Sequence, residues 1–283
     1  MTFNKISGHV GFEEASHTYT NMKTGERYTS VTTLLSKFKP KFNGQYWATY
    51  KACKDIMESE GIWRAYKNQA GNWEKVVDHF NNTGLVNLKT PTLDAIFKVK
   101  KQYLNKWEQE GRIANEKGSK IHDDLEKAAH HSRILKQKAV NHEVTEEDIL
   151  EIQDFTSNKC YPELMIYNDE YKLSGQCDQV FKEGKYVDIE DYKTYKKLEY
   201  EGFRGETCLE PIAHLQNANY WGTALQLSLY GWMLEELGYE VRSLKMHWVH
   251  GEDENDKERN AGVRTYEMPY LKEDIIRILN YKQ

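Results

Sequence analysis

Residues 175–194 read Gly175-Gln-Cys-Asp178-Gln-Val-Phe-Lys-Glu-Gly184-Lys-Tyr-Val-Asp-Ile-Glu-Asp191-Tyr-Lys193-Thr194. The stretch predicts a β-hairpin: Gln176–Phe181 and Tyr186–Lys193 are strand-like, and Lys-Glu-Gly-Lys between them is a turn signal. A two-residue loop at Glu183-Gly184, or a four-residue loop over Lys182–Lys185, gives one register, with Asp178 opposite Ile189. Side chains alternate faces along a strand, so Asp178, Val180, Val187, Ile189, Asp191 and Lys193 then share a face. Asp178 and Asp191 become diagonal neighbours, roughly 7–8 Å apart at Cα. Their carboxylates can converge on one divalent cation, with the Lys193 ammonium one step further along.

That trio suits phosphoryl chemistry. Hard cations such as Mg²⁺ take carboxylate oxygens and keep waters. Such an ion polarises a phosphoryl oxygen and activates a bound water. A lysine beside it orients the water and stabilises developing negative charge. A surface hairpin with solvated charges is the alternative, and the apolar neighbours on the shared face speak against it.

Gly175-x-x-Asp178, a turn, and Asp191-x-Lys193-Thr194 resemble the core of the PD-(D/E)XK nucleases. The stretch is similar to the RecB-type exonuclease branch, which includes the mitochondrial genome maintenance exonuclease and many phage exonucleases. Gly118-Ser-Lys-Ile-His122 matches the Gly-x-x-x-His element of that branch, and Gln226-Leu-Ser-Leu-Tyr230 its Gln-x-x-x-Tyr element. Ser30-Val-Thr-Thr-Leu-Leu resembles an N-terminal element of the phage and mitochondrial enzymes.

The resemblance implies an α/β fold: a PD-(D/E)XK core with a mixed central sheet flanked by helices, here at residues 91–283. Residues 1–90 would be an N-terminal hairpin and helical region covering the DNA path. It implies a divalent-metal-dependent DNA exonuclease of recombination, repair or replication, of the kind phages encode. Asp178, Asp191 and His122 would hold Mg²⁺ or Mn²⁺, and Lys193 would position the attacking water. Gln226 and Tyr230 would position the hairpin or the strand. Glu126, one helical turn from His122, and Glu163 are candidate additional acids. Some relatives carry an iron–sulfur cluster with cysteines near the C-terminus. No cysteine follows Cys208, so no cluster is expected. An endonuclease of the same fold, single-strand or structure-specific, and a catalytically vestigial DNA-binding protein are the alternatives. His122-Asp123 also fits an HD-type phosphohydrolase, whose further ligands find no convincing place in the chain.

The rest of the sequence fits this frame. The formal charge of −5 over 283 residues excludes a wholly basic coat, so DNA contact must come from local patches. Lys37-Phe-Lys39-Pro-Lys41-Phe42 alternates cations with apolar groups; it suits backbone contact and base stacking, and equally a helix junction at Pro40 with a solvated basic face and a buried aromatic face. Lys196, Lys197 and Arg204, just beyond Lys193, could hold phosphates, or simply be solvated. Four scattered cysteines without a signal-peptide pattern fit a reducing cytoplasm, and no apolar run is long enough to span a membrane.

In chain order, a hairpin turning at Gly25 is expected, then Ser30 capping Val31–Phe38, and helices over 43–81 broken near Gly61 and Gly71. Thr92 is expected to cap a long helix toward His131, which Gly111 could interrupt. A helix over Thr145–Asn158 and a strand over Tyr161–Tyr167 follow. A strong helix is expected over Ala213–Leu237, stopped by Gly238. A second hairpin over Val241–His250 and Gly262–Met268, and a helix over Leu271–Leu279, complete the pattern. His247 and His250 are expected to lie off the site.

Overall fold

The computed structural model describes residues 3–84, 87–137, 151–250 and 262–281, without the side chains of 117, 121–137 and 151–152. The chain folds as two compact units, Lys41–Ser119 and Met1–Pro40 with Lys120–Gln283. The division expected at 90/91 falls inside the first of these.

The larger unit is built on a ten-stranded mixed sheet. Four short strands open it: β1 (Lys5–Ser7), β2 (Val10–Glu13), β3 (Thr18–Asn21) and β4 (Arg27–Ser30). They form an antiparallel meander closed over Val10, Phe12, Tyr19, Tyr28 and Met165. Ser30 then caps α1 (Val31–Ser36): its Oγ accepts the Thr33 N–H, as the sequence predicts. Further on come β5 (Glu151–Ile152), β6 (Cys160–Asn168), β7 (Leu173–Glu183) and β8 (Tyr186–Lys193). β5 pairs parallel with β1, so the described end of the helix expected over 145–158 is strand and turn instead. The rest of that expected helix lies outside the described residues.

β7 is the centre of the sheet. Along one edge it pairs antiparallel with β6, from Cys160↔Phe181 to Asn168↔Leu173. Its other edge is shared: β4 joins parallel at Ser30↔Ser174, and β8 joins antiparallel from Gln179↔Glu190 onward. Residues 175–178 lie between these two partners. The loop of the β7–β8 hairpin is Gly184-Lys185, one residue later than expected. Gly184 adopts φ +59°, which the first loop position of a II′ hairpin turn reserves for glycine. The register therefore moves by two residues, keeping every side chain on its predicted face.

After an irregular segment, α6 (Asn219–Glu236) packs on the sheet. From Thr223 to Leu234 every residue but Gln226 is buried, the pattern of a helix enclosed in a core. It starts six residues later than expected, because Thr207↔Gln216 pair as an isolated bridge and Asn217 N–H donates to the Glu206 carbonyl. Gly238, at φ +89°, ends it as predicted. β9 (Glu240–His250) runs parallel to β8, β10 (Gly262–Glu267) returns antiparallel, and α7 (Lys272–Asn280) packs on α6. Val180, Val187, Ile189, Leu225, Leu229, Met246 and Ile275 are at most 1% exposed at the heart of this core.

The unit of residues 41–119 is helical. It contains α2 (Gly44–Ser59), α3 (Trp63–Ala70), α4 (Val76–His79) and the start of α5 (Thr90–Gln137). Its core joins Ala52, Cys53, Met57, Tyr66, Val76, Phe80 and Ile96. Gly111 does not break α5, and Thr92 does not cap it. The Thr92 hydroxyl donates instead to the Glu60 carboxylate at 3.0 Å. No helix among the described residues is long and apolar enough to cross a membrane.

Candidate active site

The site forms where β7 and β8 part. Continuing the hairpin register one residue past Gln179↔Glu190 sets Asp178 directly across from Asp191. There the ladder stops, and the Tyr192 N–H donates to Asp178 Oδ2 at 2.8 Å. A carboxylate has taken the place of a strand carbonyl as acceptor, which lets the end of β8 leave β7. The diagonal approach expected from the sequence is thus corrected to direct opposition, which brings the acids closer. On the other edge of β7, Pro162↔Gln179 and Leu164↔Cys177 bracket Glu163, placing it across from Asp178. Glu163, Asp178 and Asp191 therefore occupy one rung of three neighbouring strands.

Glu163 adopts φ +48°, a left-handed conformation that costs a non-glycine residue about 1–3 kcal/mol. Its carbonyl is held in that position by Lys5 Nζ and Gln153 Nε2, each donating at 2.9 Å. Gln153 Oε1 in turn accepts the Met165 N–H at 2.7 Å, so one side chain ties both flanks of the kink.

Asp191 is 1% exposed, and its Oδ2 lies 2.6 Å from Lys193 Nζ. Gln226 Nε2 donates to Asp191 Oδ1 at 3.3 Å and to the Tyr230 hydroxyl at 3.5 Å. The helix presents these two one turn apart, and Gln226 is the residue its buried run leaves open. The glycine of Gly-x-x-Asp also finds its reason: a Cβ on Gly175 would stand 2.7 Å from the Tyr230 ring and 3.2 Å from Val31. Only glycine lets β7, α1 and Tyr230 approach so closely.

The electrostatics follow from burial. Desolvation first, then the Asp191 carboxylate, hold the Asp178 carboxyl well above the usual carboxylate range, and Glu163 adds to this. Burial alone would push the Lys193 ammonium down, but Asp191, with Tyr195 and Asp178, outweighs it and leaves the pKa above the ordinary lysine value. Lys193 is therefore a fixed cation. With Asp178 ionised, two opposed buried carboxylates against one ammonium leave an excess negative charge, which the metal-free site avoids by keeping a proton on Asp178 and which a hard divalent cation with oxygen ligands would neutralise instead. The donor set thus fits such an ion at Asp178 and Asp191, with Glu163 within electrostatic reach. Among the described residues no group of three or more His, Cys, Asp and Glu side chains is drawn into a ligand cluster.

A family model described as the PD-(D/E)XK nuclease superfamily matches residues 75–280. The chain belongs to the PD-(D/E)XK nuclease superfamily. A search of curated proteins finds no match. Membership makes this a nuclease fold, which implies a nucleic-acid substrate.

Other predicted residues of the nuclease are placed as follows. His122 and Glu126 belong to α5, and their side chains lie outside the described residues. Lys196 and Lys197 are exposed on the segment after β8, which Asn219 anchors to α6 by donating to the Lys197 carbonyl and accepting the Glu199 N–H. Arg204 is exposed over the Phe203 ring. The residues of Lys37–Phe42 differ in exposure. Lys37 is exposed, Phe38 is core at 2% exposure, and Lys39 is half-buried. Lys41 and Phe42 belong to the 41–119 unit, where Phe42 is 70% exposed with its ring 5.5 Å from Trp107. His247 bonds Glu190 and Thr265 on β8 and β10, away from the acid rung. The sequence reading missed Tyr195, whose hydroxyl hydrogen-bonds Thr223 at 2.9 Å and which acts electrostatically on Lys193. Its position two residues after Lys193 was the available signal.

Proposed function

We propose that the protein is a divalent-metal-dependent deoxyribonuclease of the RecB-type branch that degrades DNA from a free end. The reading is carried by the direct opposition of Asp178 and Asp191 beside a permanently charged Lys193. A Mg²⁺ or Mn²⁺ ion held by the two aspartates would supply Lewis acidity and lower the pKa of a bound water. The chain's own groups do the rest. Attack by a water oxygen forms a new P–O bond as the bond to the leaving sugar oxygen breaks; the water gives up its proton to solvent, and the sugar oxygen leaves as a hydroxyl with a proton from solvent. Negative charge grows on the phosphoryl oxygens, where the Lys193 ammonium stabilises it. Gln226, braced by Tyr230, fixes the Asp191 carboxylate so that it need not reorganise during the step. Glu163, and His122 through the family resemblance, are further candidate ligands.

The free-end reading draws support from the 41–119 unit. It carries thirteen lysines and arginines against nine aspartates and glutamates, in a chain whose net charge is −5. Phe42, Tyr103 and Trp107 form an aromatic group on it, with Lys51 over the Tyr103 ring. Cations with aromatic faces suit sequence-tolerant strand binding rather than reading of base edges. Linear DNA and covalently closed circles of the same sequence, incubated with Mg²⁺, test the proposal. Degradation of the linear form with survival of the circles is expected. Rapid cutting of closed circles would refute the requirement for an end.

A further inference from the structure

Lys39 is half-buried against the helix that carries Gln226, and the family motifs do not account for it. Its backbone is held in place: Lys39 N–H donates to the Ser36 carbonyl, and the Phe38 carbonyl accepts the Leu209 N–H at 2.8 Å. The side chain then crosses to α6 and lies over Gly222, where a Cβ would stand 2.5 Å from Nζ. Gly222 is one helical turn before Gln226, on the side of the helix start, which adds positive field. Burial, and with it the Lys193 ammonium, pushes the Lys39 pKa below the ordinary lysine value. Among the described residues no carboxylate forms an ion pair with Lys39, and the Asp191 carboxylate is paired with Lys193. A half-buried cation beside a second cation, without an anion, is unfavourable in the free protein. An arriving phosphate diester removes that penalty.

We infer that Lys39 is the receptor for a backbone phosphate next to the scissile one, and that Gly222 is glycine to leave room for its ammonium. This rests on the nuclease reading and sharpens it: within Lys37–Phe42, the half-buried Lys39 is the residue placed to take that phosphate.

The test is equilibrium binding of a fluorescent oligonucleotide to the full chain in EDTA, across a salt series, alongside Mg²⁺-dependent degradation of linear DNA. Lys39→Ala should weaken binding about tenfold and lower the salt slope by about one. Gly222→Ala should weaken it in the same direction. That variant keeps Lys39, improves helix propensity, and meets only the end of a flexible side chain, so loss of folding cannot explain the result. Lys185→Ala, an exposed lysine at the hairpin loop, should leave the slope unchanged. Wild type that degrades DNA while Lys39→Ala binds with unaltered affinity and slope overturns this inference alone. Wild type that neither binds nor degrades nucleic acid overturns the nuclease reading, and this inference with it.

Discussion

Replacing Asp178 by asparagine should raise the melting temperature of the metal-free protein. One step past the Gln179↔Glu190 pair, Asp178 and Asp191 face each other on neighbouring strands, a position at which Cβ atoms, and side chains that run alongside each other, are roughly 5 Å apart. Two carboxylates at that distance repel by about 3 kcal/mol at an effective dielectric constant of about 20. Asparagine keeps the acceptor for the Tyr192 N–H but removes the charge. The attraction between Asp178 and Lys193 is lost as well, so the net gain should be about 1–2 kcal/mol. For a chain of this length that is about 2–4 °C. Asp191→Asn should do the reverse. It strips Lys193 of its partner at 2.6 Å, and removing one member of a buried pair costs about 3–5 kcal/mol. The pH dependence has a defined sign. The folded state keeps a proton on Asp178 after the unfolded carboxyl, with its ordinary value of 3.8, has lost it. Stability of the metal-free wild type therefore falls as pH rises from that value to the raised folded one, and Asp178→Asn escapes the loss. Calorimetry in EDTA across pH measures this. Adding Mn²⁺ at about a hundred times its Kd should stabilise wild type by about 2.7 kcal/mol and Asp178→Asn far less. If Asp178→Asn lowers the metal-free melting temperature as Asp191→Asn does, the opposition of the two acids is wrong.

Lys193→Ala should cost roughly a thousandfold in turnover, or about 4 kcal/mol of barrier, with oligonucleotide affinity nearly retained. A single-turnover assay that finds it within tenfold of wild type would remove Lys193 from the reaction. Gly175→Ala should push the Tyr230 ring out of place and loosen Gln226 on Asp191, destabilising by about 1–3 kcal/mol and slowing turnover beyond what the unfolded fraction explains. Normal turnover in the folded variant would show that Tyr230 does not brace the site. Glu163→Gly should melt no lower than wild type, because glycine accepts the left-handed backbone without strain. It should also raise the Mg²⁺ needed for half-maximal rate severalfold, and an unchanged titration would free Glu163 of any metal role.

What could be read from the sequence was what is local. The shared face of Asp178, Asp191 and Lys193 depends only on strand alternation, which survives a two-residue register change. The register itself was not readable, because Glu183-Gly184 and Gly184-Lys185 both satisfy the alternation, and only backbone torsion at Gly184 selects one. Ser30 as a cap and Gly238 as a stop are likewise local chemistry. The misses are tertiary. Residues 151–152 pair with β1 from the far end of the chain, and residues 213–218 give up helix to bond Glu206 and Thr207. A buried aromatic face at Lys37–Phe42 was one of the two readings the sequence left open, and Phe38 fits it, but nothing in six alternating residues says which lysine turns inward. The left-handed Glu163 had no signal in its own sequence, being imposed by Lys5 and Gln153.

The junction of β4 with β7 has a consequence for how the molecule is made. Thr29 pairs with Leu173, 144 residues later, and Ser30 with Ser174 beside the acid rung. Closing a loop of that length costs about 4 kcal/mol in chain entropy before any contact across it is rewarded. On a ribosome adding about 5–20 residues per second, β4 and the apolar side chains of α1 wait roughly 7–30 s for their partner strand. The helical unit of residues 41–119, with a core of its own, can condense during that interval and shorten the effective loop. Asp178 and Asp191 meet only after the wait ends. Residues 175–178, between the β4 and β8 partners of β7, thus take their place in the sheet only once a strand from the start of the chain and one from beyond its middle have met.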